Sequence, residues 1–358
     1  MKNEIARPVL ACLALVAMVA SPAFAQESDW VLPRTPDGKP DFQGNWSNAT
    51  LTAIQRAAGM GRVLTPEQVA AMEGDRASFI QENSQDSDPD RPAPAAGGEF
   101  TGNALFDAAS GGTGGYNLFY IDAGDRVAVY NGEPRSSLVT VPDDGRIPAL
   151  TDAARTRARE AGAARAGMGQ YDNPENRPLA ERCMLSFGSN AGPPMLPNYF
   201  YNNNYTIVQT LDHIMIMTEM VHDVRVIPIG DKPDVPEDYR PWFGVSWAHW
   251  EGDTLVIETT NISPQQMRAY AQVFAGGVGN PKLTERLTRV GPYSLNYEFT
   301  VEDPDTFTEV WGGEVPFNWL PDRVYEYACH EANYALFNVL SGARAQEREE
   351  STGNLDRE

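Results

Sequence analysis

From Asn204 to Val301 the chain alternates apolar and polar residues in short runs separated by turn formers, the period-two signature of β-strands. Asn204 to Thr210 and His213 to Met220 pair around Leu211-Asp212. The second run is apolar on both faces and is expected to be a central strand buried on both sides; Val224 to Ile229 continues it. Val245 to Trp250 and Thr254 to Thr259 flank Glu251-Gly252-Asp253, a hairpin turn. Leu283 to Val290, Tyr293 to Val301 and Thr306 to Trp311 are joined by Gly291-Pro292 and by Glu302-Asp303-Pro304-Asp305, and Arg323 to Cys329 is expected to be the last strand.

The first half is more mixed. Residues 26 to 62 are too rich in turn formers for a regular element before Trp46 and predict an arm packed over the body. Thr65-Pro66-Glu67-Gln68 combines an N-cap, a proline at the first helical position and a glutamine at the third, so a helix runs from there to about Glu82. A small meander is expected from Asn117 to Ile121, Arg126 to Tyr130 and Ser137 to Val141. Thr151 then caps a second helix to about Ala164. Consecutive antiparallel strands with short turns must manage their edges, and closure into a barrel does so. The expected architecture is mainly β: an antiparallel meander closing into a barrel, with an N-terminal arm and two peripheral helices. A soft boundary at Arg182 separates residues 26–182 from a barrel-like domain over 183–344, and 345–358 is expected to be a disordered acidic tail.

The first residues carry a secretory pattern. Lys2 and Arg7 precede the apolar run Val9 to Ala20, and Pro22-Ala23-Phe24-Ala25 ends in a small-x-small cleavage site before Gln26, so residues 1–25 are expected to be a signal peptide. That places the protein in the periplasm or outside the cell. The run is too short to span a bilayer comfortably and no second one follows, so no membrane insertion is expected. Loss of Cys12 with the signal leaves Cys183 and Cys329 as a pair in an oxidising compartment, which predicts a disulfide. It would close a loop of about 145 residues and stabilise the fold by roughly 4–5 kcal/mol. The full chain carries a net charge of −21; the signal contributes +1 (Lys2 and Arg7 against Glu4), leaving −22. A field of that sign repels phosphate backbones, so nucleic acid is excluded as a partner and a small molecule is favoured.

Familiar motifs run the length of the mature chain: Pro33-Arg34-Thr35-Pro36-Asp37-Gly38-Lys39-Pro40-Asp41, Asp144-Gly145-Arg146-Ile147-Pro148, Glu181-Arg182-Cys183, Asn202-Asn203-Asn204-Tyr205, His222-Asp223-Val224-Arg225, Trp250-Glu251-Gly252-Asp253-Thr254-Leu255-Val256 and Tyr325-Glu326-Tyr327-Ala328-Cys329-His330-Glu331. Together they resemble a broad family of exported bacterial proteins, most of them uncharacterised. The resemblance carries no activity and lends no catalytic residue. The meander is also lipocalin-like, an analogy of fold that implies a cavity and nothing about chemistry.

Candidate chemistry centres on the histidines. All four lie between residues 213 and 330, and three are followed by a carboxylate: His222-Asp223, His249-Trp250-Glu251 and His330-Glu331. Imidazole exchanges protons near neutral pH, and a carboxylate can orient it or raise its basicity. On a strand only His249 and Glu251 are spaced to share a face, with Trp247 as an aromatic wall on the same side. If the second half is a barrel, its mouth gathers Glu219, His222, Arg225, His249, Glu251, His330 and Glu331, and the disulfide draws Arg182 toward His330. The catalytic candidates are therefore His222, His249, His330, Glu251, Glu331, Arg182 and Arg225, with Trp247 and Glu219 as substrate-binding residues. They suit cofactor-independent proton transfer by a lyase, isomerase or hydrolase acting on a small, partly apolar organic molecule, with an arginine stabilising developing negative charge. The alternatives are an exported carrier of a hydrophobic ligand and a His-ligated metalloenzyme. Zinc or iron would accept the histidines and a carboxylate, yet there is no His-x-x-x-His, His-x-His or Cys-x-x-Cys, so no metal is assigned. Asp86, Asp88 and Asp90 lack the glycine and glutamate of an EF-hand. Ser110 to Gly115 lacks a P-loop ending, and Ser186-Phe187-Gly188-Ser189 is not a nucleophile elbow.

Overall fold

The computed structural model describes residues 30–84, 121–186, 192–198, 200–269, 279–331 and 333–355. The expected signal peptide, the acidic stretch around Asp86–Asp90, the glycine-rich stretch at 110–115, most of the strand from Asn117, and residues 187–189 lie outside the described residues.

Alternation of buried and exposed side chains builds the sheet. In β11 (Ser294–Glu302), Leu295, Tyr297, Phe299 and Val301 point inward, while Glu298 and Glu302 are exposed. The other long strands are β5 (Asn204–Gln209), β6 (His213–Thr218), β7 (Val224–Pro228), β8 (Val245–Glu251), β9 (Thr254–Thr260), β10 (Lys282–Gly291) and β12 (Trp311–Trp319). With β1 (Gly44–Ser47) they form one antiparallel sheet in the order β7-β6-β5-β1-β12-β11-β10-β9-β8. Its two ends meet at one parallel bridge, Ile229 to Ala248, where the Gly230 amide donates to the Ala248 carbonyl at 2.8 Å. The result is a nearly closed barrel. The short β4 (Val139–Val141) lies along the start of β12, and β2 (Val129–Tyr130) pairs with β3 (Glu133–Pro134) in a small hairpin.

Four helices among the described residues decorate this barrel, against two expected. α1 (Pro66–Asn83) carries the capping box: Thr65 Oγ1 accepts from the Gln68 amide at 3.3 Å, and Gln68 Oε1 from the Thr65 amide at 2.8 Å. α2 (Asp152–Ala166) is capped by Thr151, whose hydroxyl accepts from the Ala154 amide at 3.1 Å. α3 (Pro264–Ala269) and α4 (Tyr334–Leu355) were not expected, and the latter takes in most of the predicted acidic tail.

Four strand expectations change. The small meander expected over 117–141 is not formed by the described residues, since β2 pairs with β3 and β4 joins the barrel sheet on β12. β6 is buried on one face only, since Met215 and Met217 stay partly exposed outside the barrel. The expected strand at Thr306–Trp311 is instead a turn, in which the amides of Thr306 and Phe307 both donate to the Asp303 carbonyl; β12 starts only at Trp311. Gly312-Gly313 and Pro316 hide β12 in the sequence. The Glu314 amide donates to Leu138 on the β4 side at 2.8 Å, so Pro316, two residues on, faces the gap between the stretches paired to β4 and β1, where no ladder bond is lost. The expected last strand, Arg323 to Cys329, has no place in the sheet. β12 already has β11 on one side and β4 and β1 on the other, so this segment leaves the barrel as an irregular strap.

The two barrel ends differ. At one, tight hairpins join β5–β6, β8–β9 and β10–β11, and the N-terminal arm covers them. Phe42 is fully buried and stacks on Trp250, Arg34 pairs with both oxygens of Asp253 at 2.9 and 3.0 Å, and the Arg289 guanidinium lies 5.5 Å over the Trp46 ring. At the other, longer connections leave and enter the strands. Left-handed non-glycine residues gather in that end's loops: Cys183, Asn202, Val221, His222, Phe243 and Asn261 all have φ between 50° and 64°. Met195 and Leu196 are fully buried in the core of the barrel, and the Met195 amide donates to the Tyr297 hydroxyl at 2.9 Å. No helix among the described residues is long and apolar enough to cross a membrane.

Candidate functional site

The turn between β6 and β7 creates the most unusual backbone of the loop end. The Thr218 amide donates to the Asp223 carbonyl and the Glu219 amide to that of Asn204, so the chain must reverse within a few residues. Val221 (φ 60°, ψ 16°) and His222 (φ 50°) both turn left-handed to do it. A β-branched residue in that region costs on the order of 1–3 kcal/mol. Burial of the Met220 and Val221 side chains holds the turn and leaves His222 outside. Glu219 is partly buried and occupied, its Oε2 accepting from Asn204 Nδ2 at 2.8 Å.

His222 Nδ1 lies 3.0 Å from the Tyr327 carbonyl. A carbonyl only accepts, so Nδ1 carries the hydrogen, and in the neutral ring Nε2 keeps its lone pair. The His330 ring stands 6.3 Å away, centroid to centroid, inclined at 51°. The disulfide brings it there: Cys183 and Cys329 are bonded with their Cα atoms 5.7 Å apart, as expected from the sequence. Asn333 reinforces the join by donating to the Glu181 carbonyl at 2.7 Å. Between the two segments lies an open groove of about 430 Å³, walled by Ala180, Glu181 and Cys183 on one side and by residues 326–329 and Asn333 on the other. Arg182 is partly buried one residue before Cys183, and Glu331 is exposed one residue after His330. Arg177 clamps Glu181 with two 2.8 Å hydrogen bonds.

Asp223 adds a group that the sequence analysis named only as a neighbour of His222. It is partly buried, and its Oδ2 has no hydrogen-bond partner among the described residues. Burial disfavours the charged form and pushes its carboxyl up to about 7. The sequence signal was the His-Asp pair directly after an apolar strand; nothing local announced the burial.

The other candidates fall elsewhere. Trp247, His249 and Glu251 share a face of β8, as the period of two predicts, but it is the outer face. Trp247 Nε1 donates to Glu258 at 3.1 Å, His249 Nε2 lies 3.3 Å from Glu251 Oε1, and Arg286 Nη2 donates to Glu251 Oε2 at 2.7 Å. Arg286 and then His249 hold the Glu251 carboxyl below its usual range. The Ile229–Ala248 bridge places His249 beside the far end of β7, whose length, roughly 16 Å at about 3.3 Å per residue, separates it from the His222 turn. His249 and Glu251 therefore do not share the groove. Arg225 points into the barrel and is 4% exposed, with Nη1 and Nη2 donating to the fully buried Glu285 at 2.9 and 2.5 Å. Tyr297 donates to the same carboxylate at 2.8 Å. With its charge met by Glu285, Arg225 does not reach the groove. His213, beside Asp212 at 3.0 Å, sits in the β5–β6 hairpin at the opposite end of the barrel.

The structure thus brings His222 and His330 together beside the disulfide groove, with Glu219 at the start of the His222 turn, while Arg182 and Glu331 are placed only as chain neighbours of Cys183 and His330. Among the described residues no group of three His, Cys, Asp or Glu is placed to hold a metal ion. Comparison with known proteins gives no match, either to a family model or to a curated protein.

Proposed function

We propose that this is an exported acid/base enzyme, a lyase, isomerase or hydrolase, that acts on a small, partly apolar organic molecule at the groove beside the disulfide. The observation that carries the reading is the pairing of His222 and His330. One imidazole has its tautomer set by a backbone carbonyl, and the second lies 6.3 Å away, close enough for one substrate group to touch both. His222 takes a proton at Nε2, and His330 returns one at the departing or rearranging atom. Asp223, whose burial pushes its carboxyl up to about 7, directly follows His222 in the chain. Arg182 supplies positive charge next to Cys183. Export is supported by the signal-like first residues and by the disulfide. Membership of the exported family that the motifs resemble belongs to the same proposal.

A carrier with its ligand inside the barrel has less support, because Met195, Leu196 and the Arg225–Glu285–Tyr297 network occupy that interior. The test is a screen of the purified mature protein against esters, lactones, epoxides and hydroxy acids, read by mass spectrometry, with metal analysis on the same sample. Turnover found there should be lost in His222→Ala and in His330→Ala, with the melting temperature within a few degrees of the parent, and kept in His249→Ala. Full turnover in both of the first two variants would remove the reading.

A further inference from the structure

We propose that the Cys183–Cys329 disulfide is a redox-addressable site: a dithiol reductant entering the groove opens it, and the strap of residues 320–333 then carries His330 away from His222 while the barrel stays folded. Both cysteines line the groove, and Cys329 is partly exposed whereas Cys183 is 6% exposed. Cys183 is buried, and both cysteines stand outside the main apolar cluster that fills the barrel. Between β12 and α4 the described residues of the strap form no helix or strand, and Tyr325, Glu326, Ala328 and His330 are exposed. Besides the disulfide, the Tyr327 carbonyl accepts from His222, Asn333 donates to the Glu181 carbonyl, and at the strap's start Asn45 donates to the Asp322 carbonyl and accepts from the Leu320 amide. The Cys183–Cys329 bond is the covalent tie between the strap and the groove wall, and the others among the described residues are single hydrogen bonds.

The chemistry follows from the difference in access. A thiolate of the reductant attacks the sulfur of Cys329, the S–S bond breaks, and Cys183 leaves as a thiolate that takes up a proton. The second thiol of the reductant then attacks its own sulfur in the mixed disulfide and expels Cys329 as the second thiol. Two electrons pass to the protein, and the reductant ends as a cyclic disulfide. The consequence for turnover rests on the acid/base reading above.

The folded mature protein, treated with dithiothreitol and trapped with iodoacetamide, should take two labels without denaturant. Hydrogen exchange should rise at least tenfold at the Cys329 and Asn333 amides, which donate to the Tyr327 and His330 carbonyls, and stay unchanged in β5 to β11. The imidazole proton signals of His222 and His330 should move, and those of His213 and His249 should not. Labelling that needs denaturant, an unchanged strap after full reduction, or loss of the β circular dichroism spectrum would each overturn the proposal. Turnover separates the two ideas. If the strap is released and turnover persists, the acid/base role of His330 falls and the redox site stands; if turnover changes while the strap stays protected, the redox site falls. The Cys183→Ser/Cys329→Ser protein should match the reduced state, and reduction of the prefolded parent decides the matter should that variant fail to fold.

Discussion

Asp223 shows how little of a residue's chemistry lies in its letter. His222 and Asp223 stand side by side in the chain, and on a strand they would face opposite ways. The left-handed turn at Val221 and His222 replaces that strand, sending one side chain outward and leaving Asp223 Oδ2 buried with no hydrogen-bond partner among the described residues. Its folded-state acidity, raised to about 7, sets the sign of a pH effect. A carboxyl raised above its unfolded value contributes stability that is complete below about pH 4 and is lost as the pH climbs through 7. Asp223→Asn should therefore melt with the parent at pH 4 and a few degrees above it at pH 8, the gap opening between those limits. Parallel melting curves across the series would contradict this account. His249 and Glu251 make the opposite case. Their shared face was legible from spacing alone and they do interact, yet spacing could not tell the outer face of β8 from a groove.

At the scale of elements, the sequence was most legible where a local signal acts alone. The Thr65–Gln68 capping box and the Thr151 cap start their helices where predicted. Strands β5 to β11 follow from alternation and turn chemistry, with ends off by a residue or so. β12 fails for a physical reason. Gly312 and Gly313 have low strand propensity, and their role is to let neighbouring backbones approach. A Cβ on Gly313 would sit 2.2 Å from the Leu138 carbonyl oxygen and 2.8 Å from the Phe299 ring. Gly313→Ala should lower stability by about 1–3 kcal/mol, at or above the upper end of that range because backbone has to move. Equilibrium urea unfolding measures it, and a change under about 0.5 kcal/mol, typical of a surface substitution, would show that β4 does not pack as described.

For the whole molecule the seam between β7 and β8 is decisive, because these two strands end the sheet order and meet at a single bridge. Arg225 spans the seam from inside. It starts on β7, passes Ser246 of β8 and Thr259 of β9 at 3.5 and 3.4 Å, and ends on Glu285 of β10. Removing one member of a buried pair leaves the other charge uncompensated and costs about 3–5 kcal/mol. Arg225→Met should show a loss of that size in urea unfolding. Glu285→Gln added to it should recover most of the loss, since Gln keeps an acceptor for the Tyr297 hydroxyl and removes the stranded charge. Losses that simply add would mean that the pair does not act as a clasp.

By itself the sequence determined what short-range physics controls: the strand periods, the helix caps, the turns of the hairpin end, the acidic net charge, and the expectation that Cys183 pairs with Cys329. Only the tertiary structure decided which histidines meet. His222 and His330 are 108 positions apart, and they face each other because β12 is paired on both sides, so the chain after it must leave the sheet and cross to Cys183. The same closure put Arg225 inside the barrel and His249 outside. Inward or outward placement, and the partner across a groove, depend on which strands already occupy each edge, and no window of neighbouring residues contains that information.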